Sequence, residues 1–273
     1  MTPTVSGNDQ SVHVMTYNIH RWAGKDGRLD VQRLSTVIRA AGADIVGLNE
    51  VLHPVTLNGR TAEPIVELAE RLGMEFVFGP SGWLDWCPGW RGPVGNAILS
   101  KYPLVDVTNV LLPKWPTTKQ RSLLSATLAD GPARGLAAFV THLDHAFEGT
   151  RLMQLRAVLR QIACDRPHFL GGDFNTHGFV GPNSRRLLPP VLRMLRSAGY
   201  QDAFHAVGKG HGRTFPSVSP VVRIDFLFLP CRWAHGLRSA RTVSLDVVSV
   251  ASDHRPVVIE WAWPTGPGFQ APC

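Results

Sequence analysis

Apolar residues recur along the chain in two patterns, one typical of strands and one typical of amphipathic helices. Short apolar or alternating runs bounded by turn residues predict strands at ten places. These strands are expected over residues 12–19, 44–50, 74–78, 94–100, 104–112, 121–128, 135–142, 167–172, 223–229 and 256–262. Most of them are five to nine residues long, which suits the sheets of an ordinary globular domain.

Other segments carry apolar residues at the three- and four-residue spacing of one helix face. The first helix is expected to begin after Asp30, a residue type that caps helix N-termini, and to end at Gly42. The second ends at Gly73, and the third begins at Thr150. A short fourth helix is expected around residues 190–198.

The spacing of these elements predicts the architecture. Several neighbouring strands are joined too tightly for the crossovers that parallel strands need. We therefore predict an α/β (α+β) fold, a four-layer sandwich of two mixed β-sheets flanked by helices. No repeat or low-complexity linker divides the chain, so we expect a flexible N-terminus over 1–10, one domain over 11–263 and a loosely ordered tail over 264–273.

Composition narrows the class of protein. The 273 residues are 44% hydrophobic and 18% charged, as in soluble globular proteins. There is no apolar run of about 18 residues and no signal-peptide pattern, so we expect a cytoplasmic protein without a transmembrane segment. The net charge of +7 favours an anionic partner, although the arginines are scattered. The four cysteines show neither zinc-site nor disulfide-framework spacing.

Polar residues end or open nearly every predicted strand, where a simple strand would need none. Taken singly, each is more often a solvated strand end, a turn residue or a paired core group. Together they recur at the ends of rigid strands, where functional sites are commonly built. Acidic, amide and imidazole groups of this kind can hold a hard cation and a phosphate. The residues are Asn18, Asn49, Glu50, His142, Asp173, Asn175, Asp225, Asp253 and His254.

These motifs, in their order along the chain, resemble the endonuclease/exonuclease/phosphatase (DNase I-like) superfamily of metal-dependent phosphoesterases. The resemblance runs from about Val12 to Trp261. The motifs that carry it are Thr16–His20, Asp44–Val51, Gly95–Pro103, Thr141–Leu143, Gly172–Asn175, Arg223–Asp225 and Ser252–Pro256. One departure is Asn49, where the family usually has Gln.

The resemblance implies an enzyme that hydrolyses phosphoester bonds, most simply a phosphodiesterase or nuclease. It implies Mg²⁺ or Mn²⁺ as cofactor, with Glu50, Asn18 and Asp253 as its ligands. Such hard cations bind through one or two carboxylates and phosphate oxygens and keep several waters. The domain over 11–263 would then be the catalytic domain.

The resemblance also implies roles for the remaining residues at the strand ends. Asp173 would position or deprotonate the attacking water, and Asn175 would orient it or the phosphate. His142 and His254 would donate hydrogen bonds to phosphate oxygens. Asp225 would orient one imidazole, most simply that of His254. The general base remains open between Asp173 and the Asp225–His254 pair.

The substrate side is indicated more weakly. Residues 79–95 are rich in Trp, Gly and Pro and fit neither a helix nor a strand. They would form either a surface loop packed by its own indoles or a loop that stacks on a base or enters a lipid interface. Residues 205–216 would form a second loop beside the site. Candidate substrate contacts are His20, Asn49, Trp83, Trp86, Trp90 and Arg213.

Two other functions remain open on the same fold. One is cleavage of phospholipid head groups or phosphomonoesters, with the Trp-rich segment as interface anchor. The other is a catalytically silent binding protein, although a silent scaffold has no need of Asp173 and His254 together. We expect a phosphorylated partner, nucleic acid or a small phosphodiester before a lipid head group, and the sequence indicates no protein partner.

Overall fold

The computed structural model of the chain describes residues 11–87, 90–163, 165–178 and 188–262. The predicted N-terminal segment 1–10 and C-terminal tail 264–273 lie outside these described residues.

The strands, numbered in chain order, form two mixed β-sheets. They are β1 (Ser11–Asn18), β2 (Ile45–Leu52), β3 (Val55–Leu57), β4 (Arg60–Ala62), β5 (Glu75–Cys87), β6 (Trp90–Ser100), β7 (Leu104–Leu111), β8 (Ser122–Leu128), β9 (Ala137–His142), β10 (His168–Gly178), β11 (Tyr200–Asp202), β12 (Arg223–Pro230), β13 (Leu237–Thr242) and β14 (Val257–Ala262). The first sheet has the order β13-β14-β1-β2-β6-β3-β4, with β5 paired to β6, and the second has the order β11-β12-β10-β9-β8-β7. β1 runs parallel to β2 and β9 to β10.

In the described part of the chain, six α-helices pack on the sheets. They are α1 (Val31–Ala41), α2 (Pro64–Leu72), α3 (Glu148–Gln161), α4 (Pro190–Ser197), α5 (Ala203–Val207) and α6 (Asp246–Ala251). Five lie on the outer faces of the sheets and one, α5, packs against the apolar cluster between them. α1, α2 and α6 pack with the first sheet in one apolar cluster, and α3 and α4 pack with the second in another. This is the predicted four-layer sandwich. No helix in the described ranges is both long and apolar enough to cross a membrane.

A third apolar cluster fills the space between the two sheets. Val14 of β1 belongs to this inner cluster, whereas its neighbour Met15 packs towards the helices, as the two-residue period of a strand requires. The sheets approach closely at Gly47 of β2. A Cβ atom there would lie 2.6 Å from a methyl carbon of Val140 in β9, so this crossing needs glycine.

The predicted caps of the first helix are confirmed. The side chain of Asp30 accepts a hydrogen bond from the backbone N–H of Arg33 at 3.1 Å, and Gly42 ends the helix with a φ of 70°. The third helix begins at Glu148, two residues before the predicted start at Thr150. The sequence patterns did not indicate β3, β4, β11, β13, α5 or α6. These elements have three to six residues, too few to show a period.

The prediction of a loop over 79–95 is wrong. β5 and β6 form a long hairpin through this segment, with Trp83 opposite Pro93 and Cys87 opposite Trp90. Among the described strands β5 pairs with β6 alone, and the register shifts between Pro80 and Gly82. Proline is tolerated at a bulge or on an edge strand because no second neighbour needs its missing N–H.

His168, at the start of β10, connects β10 to β11 within the second sheet. Its Nδ1 lies 2.8 Å from the carbonyl oxygen of Arg166, and its Nε2 lies 2.7 Å from the hydroxyl of Tyr200. A carbonyl only accepts, so Nδ1 carries the proton and Nε2 accepts from the tyrosine. Burial lowers the pKa of His168 to about 4, although the Arg166 carbonyl acts in the opposite direction.

This lowered pKa makes folding stability depend on pH. Between about pH 6.5 and 4 the unfolded chain binds a proton that folded His168 does not bind, so stability falls as the pH falls through this range. We expect the wild-type protein to lose about 3 kcal/mol of unfolding free energy between pH 7 and 4 that His168→Gln does not lose. Urea denaturation at several pH values measures this difference. The exposed His205→Gln variant should keep the wild-type profile, whereas parallel profiles for wild type and His168→Gln would contradict the assignment.

Candidate active site

Strand ends from both sheets meet at one edge of the sandwich and bring the predicted polar residues together. Parallel strands end at the same edge of a sheet, and Asn18 stands beside Asn49 in the β1–β2 register. In the second sheet His142 stands beside Asp173, and Asp173 also pairs with Asp225 of β12. The sheet pairings therefore fix the backbone positions of these residues.

Two irregularities in the strands redirect side chains at this edge. The register of β2 against β6 shifts between Leu48 and Val51, and Glu50 within this shift has a φ of 56°. The register of β10 against β12 shifts after Asp173, and Asn175 has a φ of 48°. A bulge leaves a residue unpaired and turns neighbouring side chains. Non-glycine residues with positive φ are uncommon and concentrate at functional sites.

Asp173 is the most extensively bonded carboxylate of the site. Its Oδ1 accepts from the backbone N–H of Asn175 at 2.9 Å, and its Oδ2 accepts from Nδ2 of Asn18 at 3.1 Å. Its own backbone N–H donates to Oδ1 of Asn49 at 2.9 Å. Asp173 is buried and held by both sheets, so its orientation is fixed before any substrate binds.

His254 lies between two buried carboxylates. Its Nδ1 is 2.9 Å from Oδ2 of Asp225, and its Nε2 is 3.8 Å from Oδ2 of Asp173. Burial alone would lower the pKa of His254. The charge of Asp225 and the hydrogen bond to it, together with the charge of Asp173, outweigh burial and raise this pKa to about 10. His254 is therefore an imidazolium at neutral pH.

Asp173 titrates near neutral pH. Burial, and then repulsion by Asp225, raise the pKa of Asp173 to about 7. The positive charge of His254 and the hydrogen bonds from Asn175 and Asn18 act in the opposite direction. A carboxylate with this pKa can accept a proton at the pH at which most enzymes work.

His142 is held in the opposite protonation state to His254. A guanidinium nitrogen of Arg121 lies 2.9 Å from its Nδ1, and the side-chain amide nitrogen of Asn175 lies 3.0 Å from its Nε2. Both neighbours are donors, and a neutral ring accepts from one of them. Burial, followed by the positive charges of Arg121 and His254, lowers the pKa of His142 well below its usual 6.5. Its Nε2 lies 3.6 Å from Oδ2 of Asp173. The neutral ring therefore lies directly beside that carboxylate.

Sequence reasoning missed Arg121. Arg121 directly precedes β8, which is the kind of position that identified the other site residues. Its position at the start of a strand could therefore have identified Arg121 as a site residue. The guanidinium lies 2.9 Å from Nδ1 of His142 and adds positive charge to the site.

Three of the predicted residues could hold a hard cation. The Glu50 carboxylate is 21% exposed and pairs with Nε of Arg21 at 2.8 Å. The Asp253 side chain is 30% exposed. Ser252, its neighbour, donates to the backbone carbonyl of Asn18 at 2.7 Å, which brings Asp253 beside β1. Carboxylate and amide oxygens on adjoining strands are the donor type that Mg²⁺ and Mn²⁺ bind.

Asp173, Asp225 and His254 also lie close enough to hold a metal, with ligand atoms within 4.8 Å of one another. Asp225 accepts from Nδ1 of His254, and a histidine that donates one ring N–H to a carboxylate keeps its other nitrogen for a metal or for a proton. The cluster therefore has the groups for proton transfer as well as for holding a cation.

The structure corrects the expected role of Asn49 as a substrate contact. Asn49 is fully buried. Its Nδ2 donates to Oδ1 of Asn96 at 2.8 Å and to the carbonyl of Thr141 at 3.0 Å, while its Oδ1 accepts from Asp173. Both amide hydrogens are used inside the protein, so Asn49 joins the first sheet to the second instead of facing a ligand.

The predicted tryptophan contacts differ in their surroundings. Trp83 is 67% exposed and lines a groove that also contains Glu50 and His142. Trp90 is 8% exposed and belongs to the core of the first sheet, so the expectation that it faces substrate is corrected. The side chain of Trp86 lies outside the part of the chain that the structure describes.

Two further predicted contacts lie on segments next to the site. His20 follows β1, and its backbone N–H donates to Oδ1 of Asn18 at 3.1 Å. Arg213 is exposed and precedes Thr214, whose hydroxyl accepts from the backbone N–H of Asp225 at 3.3 Å. The backbone of both residues therefore lies near the site, and contact of their side chains with substrate stays a prediction.

Known proteins share this architecture. A family model described as Endonuclease/Exonuclease/phosphatase family matches residues 15–254. An endonuclease/exonuclease/phosphatase from Beutenbergia cavernae is 25% identical, with a TM-score of 0.75 over 92% of this chain and 71% of that chain. No curated protein sequence matches the chain.

Two solved structures with lower identity share the fold. A mannosyl-6-phosphatase from Bacteroides thetaiotaomicron is 17% identical, with a TM-score of 0.70 over 92% of this chain and 100% of that chain. The 3′ phosphatase NExo from Neisseria, bound to a product DNA hairpin, is 18% identical, with a TM-score of 0.65 over 92% and 100% of the two chains.

The buried position of Asn49 leads to a stability prediction. Asn49→Ala would leave the backbone N–H of Asp173 and Oδ1 of Asn96 without partners, which costs about 1–3 kcal/mol for each buried group. Urea denaturation of the variant measures this loss. Asn109→Ala is a matched control, because its exposed amide makes a single hydrogen bond to the carbonyl of Pro80, and it should cost less than about 1.5 kcal/mol.

A double substitution tests whether Asn49 acts through its partner. Asn49 and Asn96 bond directly, so Asn49→Ala combined with Asn96→Ala should cost less than the sum of the two single losses. Losses that add within about 0.5 kcal/mol would contradict the coupling.

Proposed function

Because the chain belongs to the endonuclease/exonuclease/phosphatase family, we propose that it is a divalent-metal-dependent hydrolase of phosphoester bonds, with phosphodiesters as its first candidate substrates. One observation carries the proposal. The imidazoles of His142 and His254 lie 3.6 and 3.8 Å from Oδ2 of the buried Asp173, and Asp225 holds the far side of the His254 ring. Neighbouring titratable groups whose environments drive their pKa values apart are typical of acid–base sites.

Asp173 is the proposed general base. Attack by water on phosphorus forms a new P–O bond as the bond to the leaving oxygen breaks, and the water loses a proton. Asp173 accepts that proton because its pKa lies near neutral, whereas protonated His254 cannot accept one. Asn175, whose backbone N–H is bonded to Asp173, orients the water or the phosphate.

Hydrogen-bond donors around Asp173 stabilise the charge that builds up on the phosphate. Nε2 of His142 and the protonated Nε2 of His254 both lie within 4 Å of Oδ2 of Asp173, so a phosphate at this position meets the His254 donor beside the His142 ring. Arg121 adds a positive charge behind His142. Donors fixed in position before the reaction are among the largest contributions to catalysis of this kind.

Glu50, Asn18 and Asp253 would hold the divalent metal. When bound, Mg²⁺ or Mn²⁺ supplies positive charge to the non-bridging oxygens of the phosphate. The hard oxygen donors of the three residues and the partial exposure of both carboxylates support this assignment.

Phosphomonoesters are the second candidate substrates. Two structural neighbours are named as phosphatases, one for a mannosyl phosphate and one with a DNA product. A lipid interface has less support because Trp90 is buried. Of the hairpin indoles that the structure describes, Trp83 is the exposed one. A silent binding protein would not need the Asp173, Asp225 and His254 arrangement, whose buried charges are costly.

Two substitutions test the proposed chemistry. Asp173→Asn removes the base and His254→Ala removes an imidazolium donor, so each should lower kcat by about 10²–10⁴-fold. Hydrolysis of bis-p-nitrophenyl phosphate, p-nitrophenyl phosphate, DNA, RNA and sphingomyelin, each with Mg²⁺ and Mn²⁺, supplies the measurement and identifies the substrate class. Circular dichroism checks that both variants fold, and His205→Ala, an exposed histidine, should keep full activity.

The pairing of Asp225 with His254 has its own test. If Asp225 acts only through that imidazole, Asp225→Asn combined with His254→Ala should cost little more activity than His254→Ala alone. Losses that multiply would contradict this pairing, and wild-type rates in either single variant of Asp173 or His254 would refute the mechanism.

Metal dependence follows from the oxygen donors. Excess EDTA should abolish hydrolysis, and added Mg²⁺ or Mn²⁺ should restore it. Glu50→Gln weakens the ligand set without removing it, so raising the metal concentration should recover part of the activity. Calorimetric titration with Mn²⁺ should give a higher Kd for Glu50→Gln than for wild type. Full activity in EDTA is the outcome that rules out this part of the proposal.

A further inference from the structure

A groove opens directly from the candidate active site. Its volume is about 240 Å³, and Glu50 and His142 belong to both the groove and the site. One wall is the β5–β6 hairpin with Trp83, and the other is the segment before β8, with Lys119 and Arg121. A chemical group that binds in this groove would therefore belong to the same substrate molecule as the phosphate that reacts in the active site.

The groove carries positive charge that the protein does not neutralise. Its cationic side chains are Arg21, Lys119 and Arg121, and its one carboxylate, Glu50, pairs with Arg21. Neither Lys119 nor Arg121 has a carboxylate within ion-pair distance among the residues that the structure describes. Nε of Arg121 is buried without a hydrogen-bond partner. Unpaired cations in a cleft attract anions.

Trp83 adds a flat apolar face beside these cations. Its indole is 67% exposed, although the backbone is fixed in β5 opposite Pro93. An exposed indole held on a strand loses little entropy when a ring stacks on it, and stacking on a base contributes about 1–3 kcal/mol. The groove therefore combines an anion site with a stacking surface.

The size of the groove limits what can bind. Pockets that enclose drug-sized ligands measure roughly 300–1,000 Å³, and this groove is smaller. It can take one phosphate and part of an adjoining ring. A zwitterionic lipid head group would place its own cation against Lys119 and Arg121 and would be repelled.

We propose that this groove is a subsite for a second phosphate of the substrate. Lys119 and Arg121 bind that phosphate, and Trp83 stacks on the base of the nucleotide that carries both phosphates. The preferred substrate is then a compact nucleotide with two phosphate groups. This inference rests on the proposed phosphoesterase function and specifies its substrate class.

A matched pair of chromogenic esters tests the subsite. Thymidine 5′-(p-nitrophenyl phosphate) has one phosphate, and its 3′-phosphorylated form has a second phosphate and the same scissile bond. A hydrogen bond to a charged group contributes enough for about a 10-fold effect or more, so kcat/KM should be at least about 10-fold higher for the bisphosphate, through a lower KM. Added NaCl should reduce this preference.

Variants on the two walls separate charge from stacking. Lys119→Ala should raise KM for the bisphosphate several-fold and leave kcat for the monophosphate ester unchanged. Lys114→Ala, an exposed lysine on the same segment but outside the groove, should keep the wild-type preference. Trp83→Ala should raise KM for both esters, whereas Trp115→Ala, which is 59% exposed and outside the groove, should not.

The outcomes distinguish the subsite from the proposed function. Equal kcat/KM for the two esters, or equal loss of preference in Lys119→Ala and Lys114→Ala, overturns the subsite and leaves the phosphoesterase function standing. If the protein hydrolyses neither ester, that result counts against the proposed phosphoesterase function. The subsite is then decided by calorimetry with thymidine 3′,5′-bisphosphate and thymidine 5′-monophosphate, where equal affinities, or no effect of Lys119→Ala, overturn it.

Discussion

The amide of Asn49 connects the two sheets at the edge where the polar residues are buried. Buried polar groups need partners, and this one side chain satisfies the backbone N–H of Asp173, the carbonyl of Thr141 and the side chain of Asn96. The contact depends on Gly172, because a Cβ atom there would collide with the carbonyl oxygen of Thr141. The first sheet thus positions the carboxylate that the second sheet carries.

Charge at this edge is arranged by the partner of each imidazole. Asp225 raises the pKa of His254, whereas burial, followed by the charge of Arg121, lowers the pKa of His142. Two buried carboxylates would repel each other, and the His254 cation between Asp173 and Asp225 offsets that repulsion. Buried ion pairs of this kind contribute little to stability. Their concentration at one sheet edge is therefore better explained by catalysis than by folding.

The sequence predicted those features of the fold that depend on interactions between residues close together in the chain. Asp30 and Gly42 limit α1 through hydrogen bonding and backbone conformation, and both are visible in the sequence. The same holds for polar residues at strand ends, which indicated Asp173 and His254. The sequence could not show that Pro80 lies in an edge strand, because edge position depends on which strands pair. The burial of Asn49 likewise depends on the packing of both sheets.

Arg121 links the reacting centre to the neighbouring groove. Its guanidinium is oriented by the bond to Nδ1 of His142, and the same side chain forms part of the groove wall. An anion that binds there meets a donor whose rotamer is already fixed, so less side-chain entropy is lost on binding. Lys119 is exposed and has no such support. In the proposed subsite, the inner end of the groove would therefore bind an anion through a rigid group hydrogen-bonded to His142, and the outer end would do so through the flexible Lys119.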